Sequence, residues 1–227
     1  MNRRTFLAAV GGALVPAAAT AAPNRDEQRH NNRVELWHNY AAKTENLLVR
    51  LMTTRETSLL DEPLTVTGSL LFLGPGTLVL RDDGLSGSTT IMTREGTLSF
   101  ANGVKPPAMV PSGRVPAIDW LTDRMLRMFA SADTPDALTD GARVNIPRGG
   151  GYRLELLPPT GSTIRRKLRS LAVELDPVAG AITQITIAEA QGDRIVLGLA
   201  DHRQNLAEDD LEPSLAPVRA YLPSLRE

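Results

Sequence analysis

The side chains of this sequence that could do chemistry are few and poorly spaced for it. Histidines occur only at His30, His38 and His202, two in a charged segment and one after a strand-like run. That spacing does not make a metal site. Asp82-Asp83 and Asp209-Asp210 are adjacent pairs, whose carboxylates point in different directions and mark turns rather than an acid and its base. Gly149-Gly150-Gly151 lacks the Lys-Ser/Thr that follows in a phosphate-cradling loop. No nucleophile elbow and no His-Glu-x-x-His helix is present. The expectation is a chain with no catalytic residue, no metal and no cofactor, hence not an enzyme. Its function must lie in apolar surface.

The stretch that carries such surface is Gly68-Ser69-Leu70-Leu71-Phe72-Leu73-Gly74-Pro75-Gly76-Thr77-Leu78-Val79-Leu80-Arg81. Proline presets φ for a turn and glycine accepts positive φ, so Gly74-Pro75-Gly76 should join two strands in a hairpin. Alternation puts Leu70, Phe72, Leu78 and Leu80 on one face and Leu71, Leu73 and Val79 on the other. A sheet that is apolar on both faces needs cover on both.

The surrounding elements follow from period and punctuation. Val34, Trp37, Ala41 and Leu48 recur at helical spacing across residues 26–48. Residues 46–60 read as a strand, overlapping the end of that helix. Residues 86–93 and 97–100 read as further strands, and the four prolines of residues 102–116 make a loop. Pro116 opens the clearest helix, with Ile118, Leu121, Met125, Met128 and Phe129 as its apolar stripe. Residues 131–141 are a polar loop. Leu154 and Leu156, Leu171 and Val173, Ile185 and Ile187, and Ile195 and Leu197 then alternate with polar residues, which describes a four-strand meander wet on one face. Residues 206–225 show no clear period.

Composition narrows the setting. The chain has 227 residues, no cysteine, and 25 basic against 26 acidic residues. Asn2-Arg3-Arg4-Thr5-Phe6-Leu7 followed by a small apolar run to Ala22 reads as an export signal of the twin-arginine type, over residues 1–21. An ordinary secretory signal with two chance arginines is the second reading. Ala19-Thr20-Ala21 is the best cleavage site, and residues 22–227 would form one soluble, periplasmic domain. Its net charge of about −3 argues against nucleic acid and against anionic lipid surfaces. Without cysteine there is neither a disulfide nor a lipidation site.

The order of elements resembles the LolA-type outer-membrane lipoprotein carriers. The residues that carry the resemblance are Gly68 to Leu78, the Arg94-Glu95-Gly96-Thr97-Leu98-Ser99-Phe100 hairpin, the Tyr152-Arg153-Leu154-Glu155-Leu156-Leu157-Pro158 strand, and the meander ending at Asp201. The family's arginine before the turn proline is Gly74 here, and the aromatics of the following strand are Leu78 and Leu80, as in a divergent paralogue. The resemblance implies an α+β fold, a curved antiparallel half-barrel whose concave face is covered by amphipathic helices. It implies a monomeric periplasmic carrier that binds acyl chains of lipoproteins or lipids and ferries them toward the outer membrane. An inner-membrane exporter would load it and an outer-membrane acceptor would unload it. The expected lipid-binding residues are Leu70, Phe72, Leu78, Leu80 and Phe100 of the sheet, with Ile118, Leu121, Met125, Met128 and Phe129 of the helix. Methionine suits a surface that repacks around variable chains. Replacing Leu78 with Glu is then expected to leave folding intact and abolish lipid uptake.

Three alternatives stay open: a dedicated carrier for a lipid or polyene exporter, a protein-binding scaffold with no lipid, and, behind these, a periplasmic hydrolase, which inactivity toward generic esters and glycosides would dismiss. A greasy hollow beside Phe72 and Leu78 and a filled core look alike in sequence.

Overall fold

The computed structural model describes residues 25–84, 87–130, 134–147 and 151–222. The expected export segment, Gly149 and Gly150 lie outside the described residues. The elements in chain order are α1 (Arg25–Ala41), β1 (Asn46–Glu56), β2 (Leu64–Leu73), β3 (Thr77–Asp82), β4 (Ser88–Thr93), β5 (Gly96–Ala101) and β6 (Val110–Pro111). Then come α2 (Pro116–Phe129), β7 (Arg143–Asn145), β8 (Arg153–Leu157), β9 (Leu168–Leu175), β10 (Ile182–Glu189), β11 (Arg194–Gln204) and α3 (Glu208–Leu215). The fold is α+β, and its eleven strands form a single curved, unclosed antiparallel sheet in the order β6-β5-β4-β3-β2-β1-β11-β10-β9-β8-β7. Strand β1 is the seam between two meanders, paired with β2 on one side and β11 on the other.

The central hairpin forms as its sequence predicts. Leu70 faces Leu80, Leu71 faces Val79 and Phe72 faces Leu78 across β2 and β3. Leu70, Phe72 and Leu78 are buried with Leu47, Val49 and Leu51 of β1 under α1 and α2. Trp37 of α1 supplies more than bulk there, because its indole N–H donates to the Met128 carbonyl of α2 at 2.7 Å. The two helices are thus tied by a buried hydrogen bond as well as by packing.

The opposite face of the hairpin is covered by the tail. Leu71, Val79, Ile91 and Leu98 are buried against Leu211 and Leu215 of α3, with Val218 and Leu222 just beyond. The segment that showed no period is therefore a short helix and a helical turn (Arg219–Tyr221) packed on the sheet. A pair of asparagines fixes its approach. Asn46 donates its amide to the Leu206 carbonyl at 3.0 Å and accepts from the Leu206 N–H at 2.8 Å. Asn205 accepts from the Glu45 N–H at 2.8 Å and donates to the Lys43 carbonyl at 2.7 Å.

The second meander is covered on one face only, as its alternation demands. Leu154, Leu156, Leu171, Val173 and Ile185 enter the α1/α2 core, while Arg153 and Glu174 pair on the other face at 3.0 Å. Some boundaries differ from the sequence expectation. Helix α1 ends at Ala41 and β1 at Glu56. The proline-rich loop contributes β6, paired with Gly96 and Thr97. Residues 134–147 hold a turn that buries Leu138 completely, and then β7.

Gly68 explains how β1 and β3 communicate across β2. It stands opposite Asp82, and a Cβ there would lie 1.9 Å from the Arg81 carbonyl oxygen. Past this bare position the Asp82 carboxylate reaches β1, accepting from Thr53 at 3.0 Å and from Arg55 at 3.0 Å, and also from Ser88 of β4 at 2.9 Å. Gly68→Ala should therefore destabilise by about 1–3 kcal/mol, as overpacking does. Leu215→Ala should cost about 2–5 kcal/mol through a cavity under α3. Urea denaturation checks both, and an unchanged midpoint in Leu215→Ala would mean that α3 is not part of the cooperative unit.

Candidate ligand-binding clefts

The residues expected to line a lipid groove do not share one surface. Leu70, Phe72, Leu78, Met125, Met128 and Phe129 are buried together between the sheet and α2, and Leu80 and Leu121 pack against them. Phe100 instead lies on the opposite face, where its ring meets Tyr221 edge-on at 5.4 Å between centroids. Ile118 is 37% exposed. The buried arc of α2 keeps Leu121, Met125, Met128 and Phe129 of the expected stripe and is wider than it, taking in Trp120, Thr122 and Arg124 as well.

Arg124 is a charged member of this wider arc. Its guanidinium donates to the Leu138 carbonyl at 3.1 Å and to Asp123 at 2.7 Å, holding the 134–142 turn against the helix. Burial lowers its pKa and the neighbouring Asp123 raises it, so the charge is kept by a partner at the rim. Thr122 is held inward as well, sharing a 2.8 Å hydroxyl contact with Thr97 of β5. A polar residue pulled inside by a carbonyl is not visible in an apolar pattern.

Between α2 and the sheet the protein's own side chains pack together. Leu70, Leu78 and Met125 are all 0% exposed. Leu78→Glu would thus place a carboxylate in packed hydrocarbon, and the expectation that the variant folds normally is corrected here.

Open space lies at the hairpin tip, on both sides of Gly74-Pro75. One cleft of about 370 Å³ is lined by Thr44, Glu45, Phe72, Gly74, Pro75, Arg94 and Ala130. It leaves room beside Phe72 at the end of α2. The other, about 830 Å³, lies toward α3. Leu73, Pro75, Leu206, Leu211 and Leu215 form its apolar walls, with Glu45, Arg94, Glu95, Glu208 and Arg219 around them. The tip between the clefts is docked on the start of β1, since the Gly74 N–H donates to the Glu45 carbonyl at 2.9 Å. A Cβ on residue 74 would come within 2.7 Å of that same oxygen, which gives a steric reason for glycine where the resembled family carries arginine. A different arginine serves the turn: Arg94 lies alongside Gly76 and donates to the Pro75 carbonyl at 3.3 Å. Arg219 is neutralised by Glu212.

No family model matches this chain, and no curated protein does. Among solved structures it is similar to a LolA superfamily protein from Nitrosomonas europaea, at 15% identity over 79% of this chain and 94% of that one, with a TM-score of 0.40. It is also similar to a putative outer membrane lipoprotein-sorting protein domain from Vibrio parahaemolyticus, at 14% identity, 81% and 97% coverage and a TM-score of 0.41. LprF from Mycobacterium bovis follows at 11% identity, 79% and 95% coverage and a TM-score of 0.35. At these scores the likenesses assign no residue, ligand or partner to this chain.

Two outcomes test the packing. Leu78→Glu should lose at least about 3 kcal/mol of stability in a urea titration, the scale of a buried charge without a partner. Tyr40 gives a second handle, because burial pushes its pKa up to about 12 from 10.0. The folded state then holds that proton more tightly than the unfolded state, so stability should fall as pH rises from 10 to 12. Tyr40→Phe should flatten that decline, and an equally steep fall in the variant would assign it to other groups.

Proposed function

We propose that this chain is an acyl-chain carrier whose binding surface is the pair of clefts at the hairpin tip, rather than the space between α2 and the sheet. The observation that supports it is the 830 Å³ cleft walled by Leu73, Leu206, Leu211 and Leu215. Its volume lies within the range of small-molecule sites, about 300–1,000 Å³, and its walls are mainly apolar. After export the protein would shield the chains of a lipid or lipoprotein in the periplasm, taking them from an inner-membrane exporter and passing them to an outer-membrane acceptor. None of the described helices is long and apolar enough to cross a membrane, which suits a carrier that meets the bilayer only at its surface.

Energetics make such a carrier reversible. Each buried CH₂ contributes about 0.8 kcal/mol, and a bilayer offers the same gain. An open cleft keeps part of the chain wet, so cargo is held more weakly than in a sealed core and is handed on more readily.

A second reading, a protein-binding scaffold without lipid, is favoured by the burial of Leu70, Leu78, Met125 and Met128 in the α2 core. A fluorescent fatty-acid titration separates the two. Leu73 is half-buried, so Leu73→Glu should keep the fold while weakening probe binding at least about tenfold, the cost of a charge in an apolar wall. Leu206→Glu serves as an independent check on the same wall. Absence of probe binding by the wild-type protein would sink the carrier reading and leave the scaffold.

A further inference from the structure

The two clefts adjoin at the hairpin tip and can be taken as the arms of one bent trench. Glu45, Gly74, Pro75 and Arg94 line both. On one side the trench runs toward Phe72 and Ala130, and on the other toward Leu211 and Leu215. Those ends lie on opposite faces of the sheet, since Phe72 belongs to the α1/α2 core and Leu211 and Leu215 to the cluster under α3. A single straight hydrocarbon cannot fill both arms, because it would have to fold over Pro75.

The apex between the arms is charged. Arg94 donates one bond to the Pro75 carbonyl and pairs with no carboxylate among the described residues. Glu45 at the apex and Glu95 beside it make no ion pair among the described residues either. One guanidinium and two carboxylates, none in an ion pair among the described residues, line the clefts here and suit a polar group carrying both signs. An anion would meet Arg94, which binds phosphate well, and an ammonium would meet Glu45 or Glu95. A head group of net negative charge would face the two carboxylates unfavourably.

Resting on the acyl-chain reading above, we infer that the cargo is a two-chain amphiphile with a zwitterionic, phosphate-and-amine link, straddling the tip. One chain lies in each arm and the link sits over Gly74-Pro75 at Arg94. The hairpin tip is then the wedge that separates the chains.

The test uses short-chain phosphatidylethanolamine, its one-chain lyso form and the matching phosphatidylglycerol, by competition and by native mass spectrometry. The wild-type protein should bind the two-chain form at least about tenfold more tightly than the lyso form, since each arm buries its own hydrocarbon. Leu73→Glu closes the larger arm and Ala130→Glu the smaller. Each variant should lose the two-chain advantage and bind both forms equally. Arg94→Gln should weaken both phospholipids alike, and Glu45→Gln combined with Glu95→Gln should remove the preference over phosphatidylglycerol. Equal wild-type affinity for one-chain and two-chain forms would overturn the inference while the carrier reading stood. Binding of no amphiphile at all would end both. Circular dichroism checks that the variants fold, and if they do not, the wild-type comparison of chain number and head group decides alone.

Discussion

The structure depends on one constraint: a hairpin apolar on both faces must be covered twice. The β2–β3 pair places Leu70, Phe72 and Leu78 on one side and Leu71 and Val79 on the other, all buried. No single layer of helices can satisfy that. The chain answers with α1 and α2 on one face and α3 with its following turn on the other. The sheet is therefore sandwiched over its first meander and open to water over one face of its second. Leaving either side of the hairpin bare would expose a contiguous apolar patch, which soluble proteins avoid.

Double cover has a consequence for where cargo fits. The core is stapled by Trp37 to the Met128 carbonyl, and Leu70, Leu78 and Met125 are fully buried in it. The gaps appear where the covering layers end, at the tip of the hairpin that both serve. There the main chain of Glu45 meets Gly74 directly, leaving no side chain to fill the space. Site and scaffold are thus two results of one packing problem.

Much of this was legible in the residues. The Gly74-Pro75-Gly76 turn, the helix opened by Pro116 and the closing meander all follow from local period and punctuation, which act over a few residues. What escaped was long-range. Helix α3 has Pro213 inside it and only two buried residues, Leu211 and Leu215, after an acidic first turn, so its period is too short to register. Phe100 changes sides because its face is set by pairing with Thr89 through the turn geometry of β4 and β5, not by its own neighbours. Arg124 is inward because a carbonyl of a distant turn receives it. The full burial of Met125 and Met128, whose type suits either a repacking groove or a core, depends on how closely α2 approaches the sheet.

The asparagine clasp at Asn46 and Asn205 bears on the order in which the molecule assembles. Neighbouring strands of each meander can zip from their turns, and α1 precedes the strand beside it, so these contacts are local in sequence. The tail is different, because it docks on strands made far earlier, and contacts of high sequence separation form slowly. Until the clasp brings Leu206 to the seam strand, Leu71, Val79 and Ile91 stay wet. A chain cut short before Leu206 would therefore leave one face of the hairpin apolar and uncovered.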